Sequence, residues 1–271
     1  MDKIISYAKI NLFLEVTGRR SDGYHDIDTV MQRISLCDTM EAELTDGGIF
    51  LYCDAPDIPL GEENLVCKAA KKFFDVTGIS AGITLKLEKH IPSGAGLGGG
   101  SSDAASVFCY LCEKFGQPLS EKDKLAALKS LGADVPFFAR NGCGRALGIG
   151  EELKYIPAVS GIPALIIPGR DKVSTALAYG EIDSVNAPHV DNKLWDVLKK
   201  SKDLSAIAPL CFNRFEDVSP YCRPVIEALS AQGASVAHLS GSGSSVYSLF
   251  DSFEKRDAAA KTLGGISCET I

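Results

Sequence analysis

The stretch from Ile91 to Ala105, IPSGAGLGGGSSDAA, constrains this chain more than any other segment of its length. Six of the seven residues from Gly94 to Gly100 are Gly or Ala, and they lead directly into Ser101, Ser102 and Asp103. Backbone without side chains turns tightly and lets its N–H groups approach a ligand. Where such a loop opens a helix, the unpaired amides of the first turn and the positive end of the helix dipole form an anion cradle suited to a polyphosphate. A loop kept small for packing needs no hydroxyls and carboxylate gathered at the helix start.

The spacing Gly94-x-Gly96-x-x-Gly99 matches the dinucleotide-binding fingerprint, but its setting does not. That fingerprint follows a buried parallel strand and has an acidic residue about twenty positions on, at the end of the next strand. Here the preceding GITLKLEK alternates apolar and charged residues as a half-solvated strand does, and the later positions fall in CEKFGQPL, a helix end and turn. The Gly-Lys-Ser/Thr ending of a P-loop is missing as well.

On either side of the loop the pattern predicts strands and helices in mixture. IISYAKINLFLEV alternates, halts at the turn composition Gly18 to Gly23, and IDTVMQRISL alternates again, which predicts antiparallel strands continued by MEAELT and GGIFLYCD. NLVCKAAKKFFDVTG changes to helical spacing with a glycine stop. SSDAASVFCYLCEKFG and SEKDKLAALKSLG predict two more helices, the second capped by Ser120. GCGRALGIGEELKYI predicts a hairpin, and Pro157 and Pro163 bracket a junction between domains 1–157 and 158–271. Beyond it come a strand at ALIIPG, helices at TALAYGEI, KLWDVLKK and CRPVIEALSAQG, and strands flanking a second glycine and serine loop in VAHLSGSGSSVYSLF. The expectation is an α+β chain of two domains.

Charge and cysteine usage narrow the partners. A net charge of −7 with Lys and Arg scattered leaves no basic stripe, so neither nucleic acid nor an anionic membrane is expected. The start, MDKIISYAKINLFLEV, holds no apolar run long enough for a signal peptide or a membrane span, which predicts a cytoplasmic protein. Nine cysteines, an odd number, fit reduced thiols there. Cys109-x-x-Cys112 sits inside an apolar helix with no second pair or nearby His, and reads as packing rather than as zinc or redox chemistry.

GAGLGGGSSDAA resembles the second motif of the GHMP small-molecule kinases, and AKINLFLEVTGRRSDGYHDI and LSGSGSSVYSLF fall where that superfamily has its first and third. AKINL followed by GRRSDGYH is more specific, and resembles the 4-diphosphocytidyl-2-C-methyl-D-erythritol kinase family, in which LGADVPFF, GIGE, VST and FNRFE also sit in this order. Tyr7, where the family often has Pro, departs from the pattern without touching a proposed catalytic atom. The resemblance implies a two-domain GHMP kinase fold, ribosomal-protein-S5-like in its N-terminal domain and ferredoxin-like in its C-terminal domain. It also implies transfer of the γ-phosphoryl group of ATP, with Mg²⁺, to the 2-hydroxyl of the methylerythritol unit in the non-mevalonate route to isoprenoid precursors.

Roles follow residue by residue from the same match. Asp134 in GADVPFF matches the catalytic base, although by itself it reads as a turn or cap residue before Val135-Pro136. Lys9 matches the active-site lysine, and its place inside the apolar run AKINLFL already marks it, because an unpaired charge there is expensive. Asn11 lies on the same strand face two residues on, and the match puts Asn11 and Thr175 near the methylerythritol hydroxyls. Tyr24 and His25 match residues that hold the cytosine, with Tyr179, otherwise an ordinary helix core aromatic, on its other face. ATP falls to the segment Pro92, Ser93, Gly94, Ala95, Gly96, Leu97, Gly98, Gly99, Gly100, Ser101 and Ser102, with Asn64 a candidate at the adenosine end. Ser101, Ser102 and Asp103 are candidate Mg²⁺ contacts, and Gly241 to Ser244 would close the site. Homoserine or mevalonate-type phosphorylation is the alternative within the kinases; an NAD-binding oxidoreductase and a non-catalytic nucleotide-binding module are the alternatives outside them.

Overall fold

A computed structural model describes residues 1–150, 152–169, 174–185 and 187–271. The chain begins with two long strands, β1 (Asp2–Arg19) and β2 (His25–Thr45), followed by β3 (Ile49–Cys53), α1 (Leu65–Thr77), β4 (Gly82–Glu88), α2 (Gly99–Lys114) and α3 (Glu121–Lys129). A 3-10 turn (Val135–Ala139) precedes β5 (Cys143–Gly148), β6 (Glu152–Ile156) and β7 (Pro163–Ile167). Then come α4 (Thr175–Ile182), α5 (Leu194–Leu198), α6 (Leu204–Ile207), β8 (Phe212–Asn213), α7 (Arg223–Ala231), β9 (Val236–Leu239), β10 (Val246–Leu249), α8 (Phe253–Leu263) and β11 (Ile266–Glu269). MEAELT is no separate strand: alternate burial of Ile34, Leu36, Met40 and Ala42 carries β2 through it unbroken.

Two compact units are assembled from separate stretches of sequence. The first holds Met1–Ala8, Cys37–Ile91 and Gly98–Arg140; the second holds Lys9–Leu36, Pro92–Leu97 and Asn141–Ile271. β1 and β2 each pass from one unit into the other, so these units follow compactness in space, whereas a junction at Pro157 divides the chain along its sequence.

In the first unit β4 pairs antiparallel with the end of β2, Thr39 opposite Glu88 and Thr45 opposite Gly82. β3 lies parallel to β4, Ile49 opposite Ile83, an arrangement that needs a crossover, and α1 supplies it. Alternation along a strand marks its faces but not its direction, so the parallel pairing was not readable from GGIFLYCD. Asn64 caps α1 by accepting from Val66 N–H, and Gly78 ends it in the left-handed region at φ 68°. The buried face of α1 is Val66, Cys67, Ala69, Ala70 and Phe73. Phe73 meets Phe108 of α2 edge-on at 5.6 Å and stacks on Phe115 at 5.8 Å.

The second unit holds the hairpin expected from GCGRALGIGEELKYI: β5 pairs with β6 and with the first half of β2, Ile27 opposite Gly148. β8 runs parallel to β1, with Phe13 opposite Phe212. A separate antiparallel sheet has the order β11-β7-β10-β9. Its strands and helices follow one another as βαββαβ with α8 between β10 and β11, which is the ferredoxin-like arrangement. Leu165, Leu239, Val246 and Phe250 from this sheet and its flanks pack with Phe215, Leu229 and Ala259 into one core.

Phe73 is fully buried where α1 meets α2, so Phe73→Ala leaves a cavity that neither helix can close. The variant should lose about 3–5 kcal/mol of stability in equilibrium denaturation. A loss below about 1 kcal/mol would mean that the aromatic contact is not what joins the helices.

Candidate active site

Lys9 sits in the middle of β1 with 3% of its surface exposed, so its ammonium must find partners inside the protein. Its Nζ donates to Asn11 Oδ1 at 2.6 Å and to the Gly96 carbonyl at 2.9 Å. The first contact follows from the two-residue period of a strand; the second draws in the glycine loop, which is also held by Lys9 N–H donating to Leu97 O at 2.9 Å. Asn11 is itself held on both sides of its amide. Its Oδ1 also accepts from Gly241 N–H at 2.9 Å, and its Nδ2 donates to Thr29 Oγ1 at 2.8 Å, whose hydroxyl donates to Phe13 O.

The two glycine segments therefore meet beside Lys9. Gly96 has φ 79°, and a Cβ there would overlap the Ser240 carbonyl oxygen, so both conformation and space exclude a side chain. The Gly96 carbonyl accepts from Ser240 Oγ at 3.0 Å in addition to Lys9. Asn213 of the FNRFE motif holds the second loop, donating from Nδ2 to Leu239 O at 2.7 Å and Gly241 O at 2.9 Å. Motif position singled Asn213 out without giving it a role. Thr175 opens α4 behind its N-cap Ser174 and reaches the same loop, its Oγ1 3.2 Å from Ser242 Oγ.

Residues from Gly98 onward belong to the first unit. Gly98 precedes α2 at φ 72° and offers no side chain to the first-turn amides, which suits them to an anion. Ser101 is half-buried and Ser102 buried. Asp103 does not face outward towards a metal: it is 1% exposed and its Oδ2 accepts from Lys89 Nζ at 3.0 Å, with Asp38 on the same ammonium. Asp38 Oδ1 accepts from His90 N–H at 2.6 Å and Ile91 N–H at 2.8 Å, fixing the backbone that enters the loop. Burial pushes the Asp103 carboxyl up to about 7; the Lys89 charge pulls against this and the Asp38 charge adds to it. Asn64 has its oxygen on Val66 N–H and donates to Pro59 O at 2.7 Å, so its side chain shapes the start of α1. Asp134 is half-buried at the head of the 3-10 turn and makes no capping bond to it. Lys9 and Asp134 lie in different units.

His25 begins β2, its Nε2 2.8 Å from Asp183 Oδ1 and its ring stacked on Tyr179 at 4.9 Å and 22°. Tyr179 meets Phe215 edge-on at 4.9 Å, so it is both core and ring support. Tyr24 is 63% exposed in the turn before β2, its N–H donating to Asp22 Oδ1. Sequence reasoning missed Asp183, whose role lies in a contact to a residue far along the chain. Glu151 of GIGE and Val173 of VST lie outside the described residues.

The chain matches the model of the GHMP kinases N terminal domain over residues 64–142 and that of the GHMP kinases C terminal over 195–266. It is 38% identical over 264 residues to 4-diphosphocytidyl-2-C-methyl-D-erythritol kinase of Desulfitobacterium hafniense (strain Y51), covering 95% of this chain and 90% of that one. The chain belongs to the 4-diphosphocytidyl-2-C-methyl-D-erythritol kinase family. A crystal structure of 4-(cytidine 5'-diphospho)-2C-methyl-D-erythritol kinase superposes with a TM-score of 0.83 at 32% identity, covering 99% of this chain and 98% of that one. The mevalonate kinase of Methanococcus jannaschii, at 16% identity, TM-score 0.75 and coverage of 100% and 98%, shares the fold. Like the other GHMP kinases, this family member is a small-molecule phosphotransferase. Among the described residues no helix is long and apolar enough to cross a membrane, and no three His, Cys, Asp or Glu side chains group as a metal site.

Two changes probe this architecture. Gly96→Ala forces a Cβ against the Ser240 carbonyl at a φ that disfavours it, and should cost about 1–3 kcal/mol in denaturant unfolding together with most of the activity. Unchanged stability would mean that the glycine segments are not in contact. For Asp103, the unfolded chain loses its proton near 3.8 and the folded chain only near 7. Between those values the folded state binds more protons, so this carboxyl stabilises the fold at acid pH and that contribution is lost as pH rises through about 7. Asp103→Asn should flatten the fall in stability seen between denaturation curves at about pH 5 and about pH 7.5. An unaltered slope would assign the proton elsewhere.

Proposed function

We propose that this kinase phosphorylates the 2-hydroxyl of 4-diphosphocytidyl-2-C-methyl-D-erythritol with ATP, in the non-mevalonate route to isoprenoid precursors. The observation that carries this reading is the buried Lys9 ammonium, held by Asn11 and by the carbonyl of the glycine loop, a fixed cation beside two loops of bare backbone. Phosphoryl transfer asks for that combination of position and charge. The relatives' names supply the substrate.

In this reading the substrate hydroxyl oxygen attacks the γ-phosphorus, the bond to the β–γ bridging oxygen breaks and ADP leaves. Asp134 takes the hydroxyl proton, and Lys9 offsets charge on the transferring group. Amides from Gly94 to Ser102 hold the phosphates, with Pro92 and Ser93 leading into them and Asn64 shaping the adenosine end. Asn11 and Thr175 hold the methylerythritol hydroxyls, while Tyr24, His25 and Tyr179 hold the cytosine. Mg²⁺ would be held chiefly by ATP oxygens and water with the hydroxyls of Ser101 and Ser102, since Asp103 is taken up by Lys89. It would supply charge neutralisation at the phosphates. Domains of 1–157 and 158–271 accord with this, one family match falling in each. The net charge of −7 argues against nucleic acid as a partner, and nine free cysteines accord with a reduced, cytoplasmic setting.

The test is ADP release with ATP, Mg²⁺ and each of the cytidine substrate, mevalonate and homoserine. Turnover with the cytidine substrate alone is expected; turnover with mevalonate instead would transfer the chain to the other branch of the fold. Asp134→Asn should keep KM for both substrates within a few-fold and lower kcat by about 10²–10⁴-fold. Lys9→Ala should be as damaging, and the double variant no worse than the poorer single, because both act on one proton transfer. Losses that simply multiply would show that the two residues work separately.

A further inference from the structure

His25 has two ring nitrogens, and the surroundings of one decide the chemistry of the other. Nε2 lies 2.8 Å from Asp183 Oδ1, the side chain is 8% exposed, and the Tyr179 ring fixes its plane. Asp183 ends α4, its own N–H bonded to the last carbonyls of that helix. A carboxylate at the negative end of a helix dipole is unfavourable unless something offsets it. Here Arg19 Nη1 stands 3.0 Å from Asp183 Oδ2, while His25 takes the other oxygen. The hydrogen bond from His25, joined by the charge of Arg19, holds the Asp183 carboxyl below the usual carboxylate range. An ionised carboxylate has no proton to give, so the contact requires the proton to sit on Nε2. With Nε2–H turned to the carboxylate, Nδ1 is the nitrogen left to meet a ligand, and in a neutral imidazole that nitrogen carries the lone pair.

We propose that Asp183, held by Arg19, is a positioning residue that locks His25 in the Nε2–H tautomer and so makes Nδ1 an acceptor matched to the exocyclic amino group of cytosine. Uracil carries a carbonyl oxygen at that position and would set lone pair against lone pair. The inference rests on the reading of His25 as a contact to the base. A residue that merely stapled α4 to β2 through this bond would leave the choice of base unchanged when the ring proton moved.

Asp183→Asn separates the two roles. The asparagine offers one oxygen and one NH₂. Arg19 has donors only and takes the oxygen, so the NH₂ turns to His25 Nε2, which must then accept, and the ring proton moves to Nδ1. Nitrogen-15 spectra of the unliganded enzyme should therefore show Nε2–H in the parent and Nδ1–H in Asp183→Asn. The ratio of kcat/KM for the cytidine substrate over its uridine analogue should fall by about 10- to 100-fold, with KM for ATP unchanged. Adding Arg19→Ala lets the amide turn its oxygen back to Nε2–H and should restore both the spectrum and most of the preference. Nδ1–H in the parent, an Asp183→Asn spectrum like the parent's, or a moved proton with an unchanged preference would each overturn the proposal. His25→Ala distinguishes failure of the underlying reading: if the base preference survives loss of the ring, His25 does not contact the base, while the spectra still decide whether Asp183 sets the tautomer.

Discussion

A single buried ammonium organises the second unit. Lys9 lies within a strand whose neighbours Ala8, Ile10 and Leu12 are almost wholly buried, where an ion without partners would be untenable. Its requirement is met by Asn11 and the Gly96 carbonyl, and through Asn11 it extends to the Gly241 amide. Satisfying one charge thus gathers three segments distant in sequence at one place. The glycines are needed for the same reason: a Cβ at Gly96 would overlap the Ser240 carbonyl, and one at Gly241, where φ is 58°, would press on the Gly96 carbonyl at 3.2 Å.

Other buried charges follow the same rule. Arg214 places Nε and Nη2 on the two oxygens of Glu15 at 2.7 and 2.6 Å, and Glu15 Oε2 also accepts from Val190 N–H. Arg214 Nη2 reaches Pro188 O as well, so the pair fastens the chain around residues 188–190 to β1. Arg145 grips Asp28 through two bonds at 2.8 and 2.6 Å, and Asn192 donates to the same carboxylate. Loss of either member of the Arg214–Glu15 pair, 8% and 1% exposed, would strand the other without water, so this contact imposes geometry more than it adds net stability.

What could be read from the sequence was what local chemistry determines. Ser120 caps α3 and Gly78 stops α1 because capping involves residues within a few positions of one another. Lys9 and Asn11 were legible because strand period alone puts them side by side. The direction of β3 was not, nor the unbroken course of β2 through MEAELT, since neither face alternation nor a turn-like interval specifies a partner strand. Asp103 shows the same limit within the site. Beside two serines at a helix start it resembles a metal ligand, and only the fold brings Lys89 and Asp38 against it. Asp183 and Asn213 carry their meaning entirely in contacts across the fold, to His25 in one case and to the β9–β10 loop in the other.

The interleaving of the two units along the sequence bears on synthesis. Everything in the first unit has been translated once Arg140 is added, but the second needs β11 to pair with β7, and Thr270 to bridge to Ile34 of β2. At about 5–20 residues per second, the segment Lys9–Leu36 waits many seconds for partners that are made last. Until then β1, with its buried ammonium, and the first half of β2 remain incomplete on the nascent chain, where a chaperone would find them.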